Sequence, residues 1–297
     1  MASRWQLCGR SLELEEPVGV GIVNVTSDSM YEGARSGTPE QAVRDGLALA
    51  KAGFHMLDIG AVAARSGPPV PAEDEAAPLV PAIKGLAEAT DLPISADTFS
   101  AEVASQALDA GAVAINDISG GADLALLELA ADSGCGLVLM HIEGPPREDR
   151  EPPSYDDPVE HLKGWFAARI EAAMAAGVGE DQLALDPGLD FDLSVADGLE
   201  ILRRLGELRE LGRPLYISLS RKDFLGAVLA GSWKERLPAE EREWATAAAT
   251  ALAVANGADL LRLHDESALQ AMRIAAAIAR PQAAHSEAAS TSGSAGG

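Results

Sequence analysis

"TPEQAVRDGLALAKAGFHMLDIG", residues 38–60, contains one predicted helix followed by one predicted strand. This stretch decides the fold, because the same alternation of helix and strand recurs along the chain. Thr38 is a typical N-cap, Pro39 suits the first helical position and Gly53 is a typical helix stop. The following residues, 54–60, are nearly all apolar, which is typical of a parallel strand covered by helices. The stretch therefore predicts a helix over 38–53 and a buried strand after it.

The same alternation continues on both sides of this stretch. "SAEVASQALDAG", residues 100–111, predicts a second helix with Ser100 as its N-cap. Eight strand-helix units favour a single-domain α/β protein with a (β/α)8 TIM barrel over a six-stranded doubly wound sheet. The eight predicted strands are residues 18–24, 54–60, 93–97, 113–117, 136–141, 183–186, 214–220 and 259–264.

The ends of the chain differ from this repeat. Residues 1–17 predict a hairpin that covers one end of the domain, residues 18–280 the barrel, and residues 281–297, which are small and polar, a disordered tail. Residues 1–17 have no apolar core of a signal peptide, and the chain has no run of 18 apolar residues. We therefore expect a cytoplasmic protein with no membrane partner.

The formal net charge of -23 argues against a nucleic-acid partner, because binding a phosphate backbone requires a basic surface. It also makes any local group of cations more informative. The two cysteines form no disulfide framework, and the Cys and His spacings of zinc modules are absent. Of the other histidines, we expect His55 to be a core residue and His161 a solvated residue of a helix.

Every predicted barrel strand ends in a polar group, at the end of the barrel where active sites form. A single terminal Asp is more often a helix cap, but capping does not explain eight polar ends that share one rim. The terminal residues are Asn24, Asp58, Asp97, Asn116 with Asp117, His141, Asp186, Arg221 with Lys222, and Arg262 with His264.

These side chains fall into two chemical groups. Asp97, Asn116 and Asp186 suit the edge of a flat heterocycle with several N–H donors, and Lys222 could donate to a ring carbonyl or nitrogen. Three further residues, Arg65, Arg262 and His264, are cations that suit an anionic leaving group. Asn24 can offer an oxygen to a Mg2+ ion that is bound by phosphate. Together they predict a site for a small, phosphorylated, nitrogen-rich molecule.

At this point the motifs resemble those of a known family, the dihydropteroate synthases, which are pterin-binding enzymes of folate synthesis. The resemblance extends over about residues 18–280, with one short motif for each strand in the order of the family. The motifs are "GIVNVTSDSMYEG", "LDIGAVAARSG", "ISADTFS", "AINDISGG", "LVLMHIEG", "LALDPGLDF", "ISLSRKDFLG" and "LLRLHD".

The resemblance implies a reaction, a cofactor and a role for each site residue. The family condenses 6-hydroxymethyl-7,8-dihydropterin diphosphate with p-aminobenzoate to give 7,8-dihydropteroate and pyrophosphate, with Mg2+ as cofactor, and it suggests a homodimer. Arg221 is expected in a supporting salt bridge. The implied residues are Asp97, Asn116, Met140, Asp186, Lys222 and Arg262 for the pterin; Arg65, Phe191 and Ser220 for p-aminobenzoate; and Asn24, Arg262 and His264 for pyrophosphate, with Asn24 also at the metal. Of these, Asp97, Asp186, Lys222, Arg262 and His264 are the expected catalytic residues.

The sequence also departs from the usual pattern of the family. The departures affect the loops of the p-aminobenzoate site and leave the pterin residues intact, so altered sulfonamide sensitivity is one expectation. Two alternatives stay open: a non-catalytic pterin-binding paralogue and the pterin domain of a folate-dependent methyltransferase. The departing residues are Ser27, Met30 and Glu32 in the first loop, Val62, Ala64 and Ser66 in the second, and Asp190 and Leu193 after "DPG".

Overall fold

A computed structural model of the chain describes residues 4–25, 36–64, 67–148 and 150–279. Within them, eight parallel strands form a barrel and one short hairpin precedes it. The (β/α)8 prediction is therefore confirmed. The strands are β1 (Arg4–Leu7), β2 (Arg10–Glu13), β3 (Val18–Asn24), β4 (Met56–Gly60), β5 (Ile94–Asp97), β6 (Ala114–Asp117), β7 (Gly136–Met140), β8 (Leu183–Asp186), β9 (Tyr216–Ser218) and β10 (Leu260–Leu263).

The barrel strands follow the order β8-β7-β6-β5-β4-β3-β10-β9, and all neighbours are parallel. A single bridge between Leu185 and Leu215 joins β8 to β9 and closes the ring. Closure brings the carboxyl ends of all eight strands to one rim. The polar residues that end the predicted strands therefore meet there.

Helices cover the outside of the barrel, and the predicted caps are present. The hydroxyl of Thr38 accepts a hydrogen bond from the Gln41 amide, Gly53 ends the first helix with a φ of 94°, and the Ser100 hydroxyl accepts from the Val103 amide. Local sequence thus set where these helices begin and end. The helices are α1 (Pro39–Ala52), α2 (Ala72–Ala89), α3 (Ala101–Asp109), α4 (Leu124–Ser133), α5 (Pro158–Ala175), α6 (Val195–Arg203), α7 (Asp223–Ala230), α8 (Glu243–Ala255) and α9 (Glu266–Ala279).

The β1–β2 hairpin closes the end of the barrel opposite the polar rim. Trp5 and Leu7 are fully buried and pack with the first residues of the barrel strands, including Val18, Met56 and Leu260. The indole Nε1 of Trp5 donates to the carbonyl of Gln182 at 2.6 Å, which satisfies its polar atom. The hairpin therefore seals the apolar interior from below and leaves the rim as the open end.

Three further expectations concern single segments. His55 was expected in the core, and this was wrong: it is exposed, and its Nδ1 accepts from the Gly19 amide at 3.0 Å. The predicted tail at 281–297 lies outside the described residues. Among the described helices, none has the length and apolar character that a bilayer crossing requires.

Candidate active site

A cavity of about 430 Å³ opens at the rim formed by the strand ends. Ten of the eleven site residues predicted from the sequence line it, although they come from seven different strands or the loops after them. Arg65, the eleventh, lies outside the described residues. The ten are Asn24, Asp97, Asn116, Met140, Asp186, Phe191, Ser220, Lys222, Arg262 and His264.

Arg262, on β10, is held across the barrel by two carboxylates. Its Nη2 donates to Asp97 at 2.7 Å and its Nε donates to Asp58 at 2.5 Å. Because both bonds fix the planar guanidinium, its orientation is set before any ligand binds. The group is therefore a fixed positive charge in the wall of the cavity.

Asp58 is a site residue to which the sequence interpretation gave no role. It is fully buried beneath the cavity and accepts hydrogen bonds from Ser95 at 2.5 Å and from the amide of Asn116 at 3.2 Å, besides the bond from Arg262. Its position at a strand end was visible in the sequence. Its role was not, because it orients two cavity residues without lining the cavity itself.

Asp97, at the end of β5, faces both carboxylate and guanidinium neighbours. Burial raises the pKa of Asp97 to about 7, and the nearby Asp58 and Glu75 carboxylates add to the rise, while Arg262 and Lys222 oppose it. This carboxylate therefore changes charge near neutral pH.

Asp186, at the end of β8, is 1% exposed. One of its oxygens accepts from the Ser218 hydroxyl at 2.8 Å and the other from the Gly188 amide at 2.8 Å. Burial raises the pKa of Asp186, and the backbone bond from Gly188 and the charge of Lys222 oppose that rise. Gly188 itself has a φ of 69° and lies against the His141 carbonyl, so a side chain there would collide with the backbone.

One wall of the cavity is apolar. Met140 is buried with Ile118 and Ile142, and Phe191 packs against this group. The Nζ atom of Lys222 lies 4.6 Å from the centre of the Phe191 ring, within the range of a cation–π contact. A flat ring could therefore lie on the apolar wall while its edge meets the polar residues opposite.

Arg221 and Lys222 point in different directions, as expected. Arg221 is buried, and its guanidinium donates to both oxygens of Asp265 at 2.9 and 2.8 Å and to the Ala239 carbonyl at 2.8 Å. Its φ of 56° is left-handed, which turns the chain sharply between β9 and α7. The predicted supporting salt bridge of Arg221 is confirmed.

His264 differs from its predicted charge state. Burial, together with the neighbouring charges of Arg262, Arg221 and Lys222, lowers the pKa of His264 to about 3. Its Nδ1 lies 2.9 Å from the Ser220 hydroxyl, and its backbone amide donates to the same oxygen at 3.2 Å. The expectation of a cation is therefore wrong for the ligand-free protein, in which His264 is a neutral hydrogen-bonding group.

Asp190, which departs from the family pattern, has a structural role. Its carboxylate accepts from the backbone amides of Asp223 and Phe224, the second at 2.9 Å, at the start of α7. Its φ of 72° lies in the left-handed region, where glycine is the favoured residue. The substitution thus stabilises the helix that follows Lys222, at the cost of a left-handed aspartate.

A residue from another part of the chain, Arg147, bonds to the backbone of the second altered loop. The guanidinium of Arg147 donates to the carbonyl of Ala63 and, at 3.0 Å, to that of Pro68, and it also lines the cavity. Ala64 packs against the apolar wall. Ser27, Met30, Glu32 and Ser66 lie outside the described residues.

Known proteins share this sequence and architecture. Residues 20–264 match the family model described as pterin binding enzyme. A dihydropteroate synthase from Synechocystis is 36% identical over 264 residues, which cover 88% of this chain and 90% of that protein. The solved dihydropteroate synthase of Xanthomonas albilineans with 4-aminobenzoic acid has a TM-score of 0.83 at 39% identity, covering 94% and 98% of the two chains.

One relative bears a different name. A Mycobacterium leprae protein named inactive dihydropteroate synthase 2 is 40% identical over 265 residues, covering 87% of this chain and 89% of that protein. Overall identity therefore does not separate active from inactive relatives of this chain. The residues of the cavity have to make that distinction.

Proposed function

The chain belongs to the pterin binding enzyme family, and we propose that it is an active dihydropteroate synthase. In this reaction the bond between the pterin methylene carbon and the diphosphate oxygen breaks, a new bond forms to the amine of p-aminobenzoate, and pyrophosphate and a proton leave. The observation that carries the proposal is the meeting of all ten described site residues in one cavity.

The pterin half of the cavity fits an N–H-rich ring. Asp186 and Asp97 are carboxylate acceptors, and the Asn116 amide is oriented through Asp58. Lys222 is a donor next to the apolar wall of Met140. Carboxylates that accept charge-assisted hydrogen bonds would bind the ring and would also stabilise the positive charge that develops on it as the diphosphate leaves.

The leaving group meets the other half of the cavity. Arg262 offers a fixed positive charge and His264 a neutral imidazole. An arriving pyrophosphate would favour the protonated imidazole, so His264 can gain a proton as the complex forms. The amine of p-aminobenzoate is a sufficient nucleophile once it is positioned, so charge stabilisation and proximity supply the catalysis.

Magnesium is the proposed cofactor, and the donors present fit it. Asn24 ends β3 at the cavity and carries a carboxamide oxygen, and Mg2+ prefers oxygen ligands and commonly binds through substrate phosphates. Asn24 would hold the ion together with the diphosphate. When bound, the ion supplies positive charge to the leaving pyrophosphate.

The p-aminobenzoate site is where we expect this chain to deviate. Val62 and Ala64 line the cavity in place of polar family residues, which supports a less preorganised second loop. Ordering such a loop costs about 1 kcal/mol per residue fixed, which corresponds to about fivefold in binding. We therefore expect a raised KM for p-aminobenzoate, weakened sulfonamide inhibition, or both, with ordinary affinity for the pterin substrate.

A turnover assay with pterin diphosphate, p-aminobenzoate and Mg2+ tests the function. The expected result is dihydropteroate and pyrophosphate in equal amounts, with Asp186→Asn as the inactive control. The second candidate is a non-catalytic pterin-binding protein, which the inactive M. leprae relative and the altered second loop favour. Tight pterin binding without turnover at saturating p-aminobenzoate would support that candidate instead.

A homodimer is the proposed assembly. Helices α7, α8 and α9 present large apolar side chains to solvent, among them Leu229, Trp244, Leu252 and Ile278, which are 52–81% exposed. Exposed apolar groups on neighbouring helices are typical of an interface. Sedimentation analysis should give a dimer, and Leu252→Arg should shift it to a monomer; a monomeric wild-type protein at micromolar concentration would contradict the proposal.

A further inference from the structure

Two histidines and one glutamate meet behind the apolar wall, outside the residues that line the cavity. His141 directly follows β7, Glu143 lies two residues later, and His161 lies in the first turns of α5. His161 was expected to be a solvated helix residue, but its ring contacts the other two side chains. The 20-residue separation of the histidines matches no zinc motif, so the fold alone creates the cluster.

The three ligand atoms form a compact triangle. The Nε2 of His141 lies 3.1 Å from the Oε1 of Glu143 and 3.3 Å from the Nε2 of His161, and the remaining side measures 2.6 Å. Zinc bonds of about 2.0–2.2 Å at the tetrahedral angle separate ligand atoms by about 3.3 Å. Two sides of the triangle are close to this value, and the third is a hydrogen bond that would have to lengthen.

The side chains that would have to adjust are the accessible ones. The His141 side chain is fully buried, whereas those of Glu143 and His161 are 29% and 32% exposed. Neighbouring rings limit the imidazoles: Trp165 lies 5.1 Å from His141 and Tyr155 4.3 Å from His161, between ring centres. The triangle therefore has one fixed corner and two corners open to solvent, which gives an ion a route of entry.

We propose that His141, Glu143 and His161 form a binding site for a divalent transition metal, with Zn2+ as the best fit. Two imidazole nitrogens and one carboxylate oxygen suit Zn2+ and similar ions, whereas Mg2+ prefers oxygen ligands alone. Three protein ligands leave the fourth tetrahedral position for water. The site is separate from the proposed magnesium position at Asn24.

The second ring nitrogen of His141 limits the affinity expected of this site. The Nδ1 of His141 is buried and has no hydrogen-bond partner among the described residues. Metal ligands usually donate this second ring N–H to an acceptor, and its loss weakens binding about 10–100-fold. We therefore expect an affinity below that of structural zinc sites.

The site also has a structural link to the substrate cavity. The backbone amide of Glu143 donates to the Asp192 carboxylate at 2.9 Å. Asp192 is the next residue in the chain after Phe191, which packs in the apolar wall. Met140, which precedes His141, lines the same wall. A bound ion would hold the start of the β7–α5 loop against α5 and so stiffen this side of the wall.

Metal binding can be measured without turnover. Metal-stripped full-length protein is dialysed against Zn2+ up to about 100 µM, and the melting temperature is recorded with and without the ion. We expect one Zn2+ per chain and a higher melting temperature in its presence. His161→Ala and Glu143→Gln, both at partly exposed positions, should each weaken this binding at least about tenfold.

The matched control is His55→Ala, an exposed histidine at the opposite end of the barrel, which should leave zinc binding unchanged. Excess Mg2+ should not displace the zinc. No stoichiometric binding by the wild-type protein, equal binding by His161→Ala, or displacement by Mg2+ would each overturn the proposal.

Discussion

The adjacent cations Arg221 and Lys222 allow a sharp test of the site, because the structure gives them different tasks. The guanidinium of Arg221 is buried and bonded to both oxygens of Asp265, whose side chain is only 16% exposed. Arg221→Ala would leave this carboxylate with its main partner removed. Breaking a buried pair from one side costs about 3–5 kcal/mol, and the partial exposure of Asp265 favours the lower end.

The expected change in melting temperature follows from that free energy. At about 2–4 °C per kcal/mol for a chain of this size class, a loss of about 3 kcal/mol lowers the melting temperature by about 6–12 °C. Lys222 is only partly buried and faces the cavity, so Lys222→Ala should change the melting temperature little. Loss of its charge-assisted bond should instead weaken pterin binding by about 1.5–3 kcal/mol, or about 10–150-fold.

Circular dichroism melts and calorimetry with 6-hydroxymethylpterin measure the two effects separately. Asp265→Asn is the matched control, and the double variant with Arg221→Ala should lose much less than the sum of the single losses, because the two residues form one pair. If Arg221→Ala abolishes pterin binding at an unchanged melting temperature, the assignment of the two cations is reversed.

Three further outcomes are expected. Asp186→Asn should nearly abolish turnover and weaken pterin binding about 10–150-fold while the fold persists, and unchanged calorimetric affinity would remove this carboxylate from the site. Because the pKa of Asp97 is raised to about 7 and the pterin N–H donors need the ionised form, pterin affinity should fall toward tenfold per pH unit below pH 7, with proton release on binding; a constant affinity and no proton release from pH 5 to 8 would contradict this. Asp58→Asn should lower both the melting temperature and kcat/KM, because Arg262 and Asn116 lose a shared anchor, and kinetics equal to those of the wild type would show that the anchor is dispensable.

The architecture was determined by local sequence. Thr38 and Gly53 mark the ends of α1, and the apolar run after them becomes β4, because capping and the hydrophobic pattern that favours a strand are set by residues within a few positions. The strand ends could be read in the same way. Once a barrel is predicted, its closed geometry requires these ends to share a rim, so the sequence alone predicts that Asp97 and Asp186 lie at the same site.

Only the tertiary structure decided the protonation of the site residues and their hydrogen-bond partners. Asp58 became an anchor because β10 and β6 bring Arg262 and Asn116 to it from distant parts of the chain. His264 lost its predicted charge because burial and three neighbouring cations act on it at once. A pKa and a hydrogen-bond partner depend on surroundings in space, which no stretch of sequence contains.

The same distinction separates the two candidate sites of this protein. The residues proposed to bind the substrates follow from strand ends and motif order, so the sequence alone was enough to propose them. The cluster of His141, Glu143 and His161 depends on how α5 packs beside the end of β7, which places residues from a loop and a helix within 3.3 Å of one another. Packing of this kind is set by side-chain contacts across the whole domain, and only the folded chain reveals it.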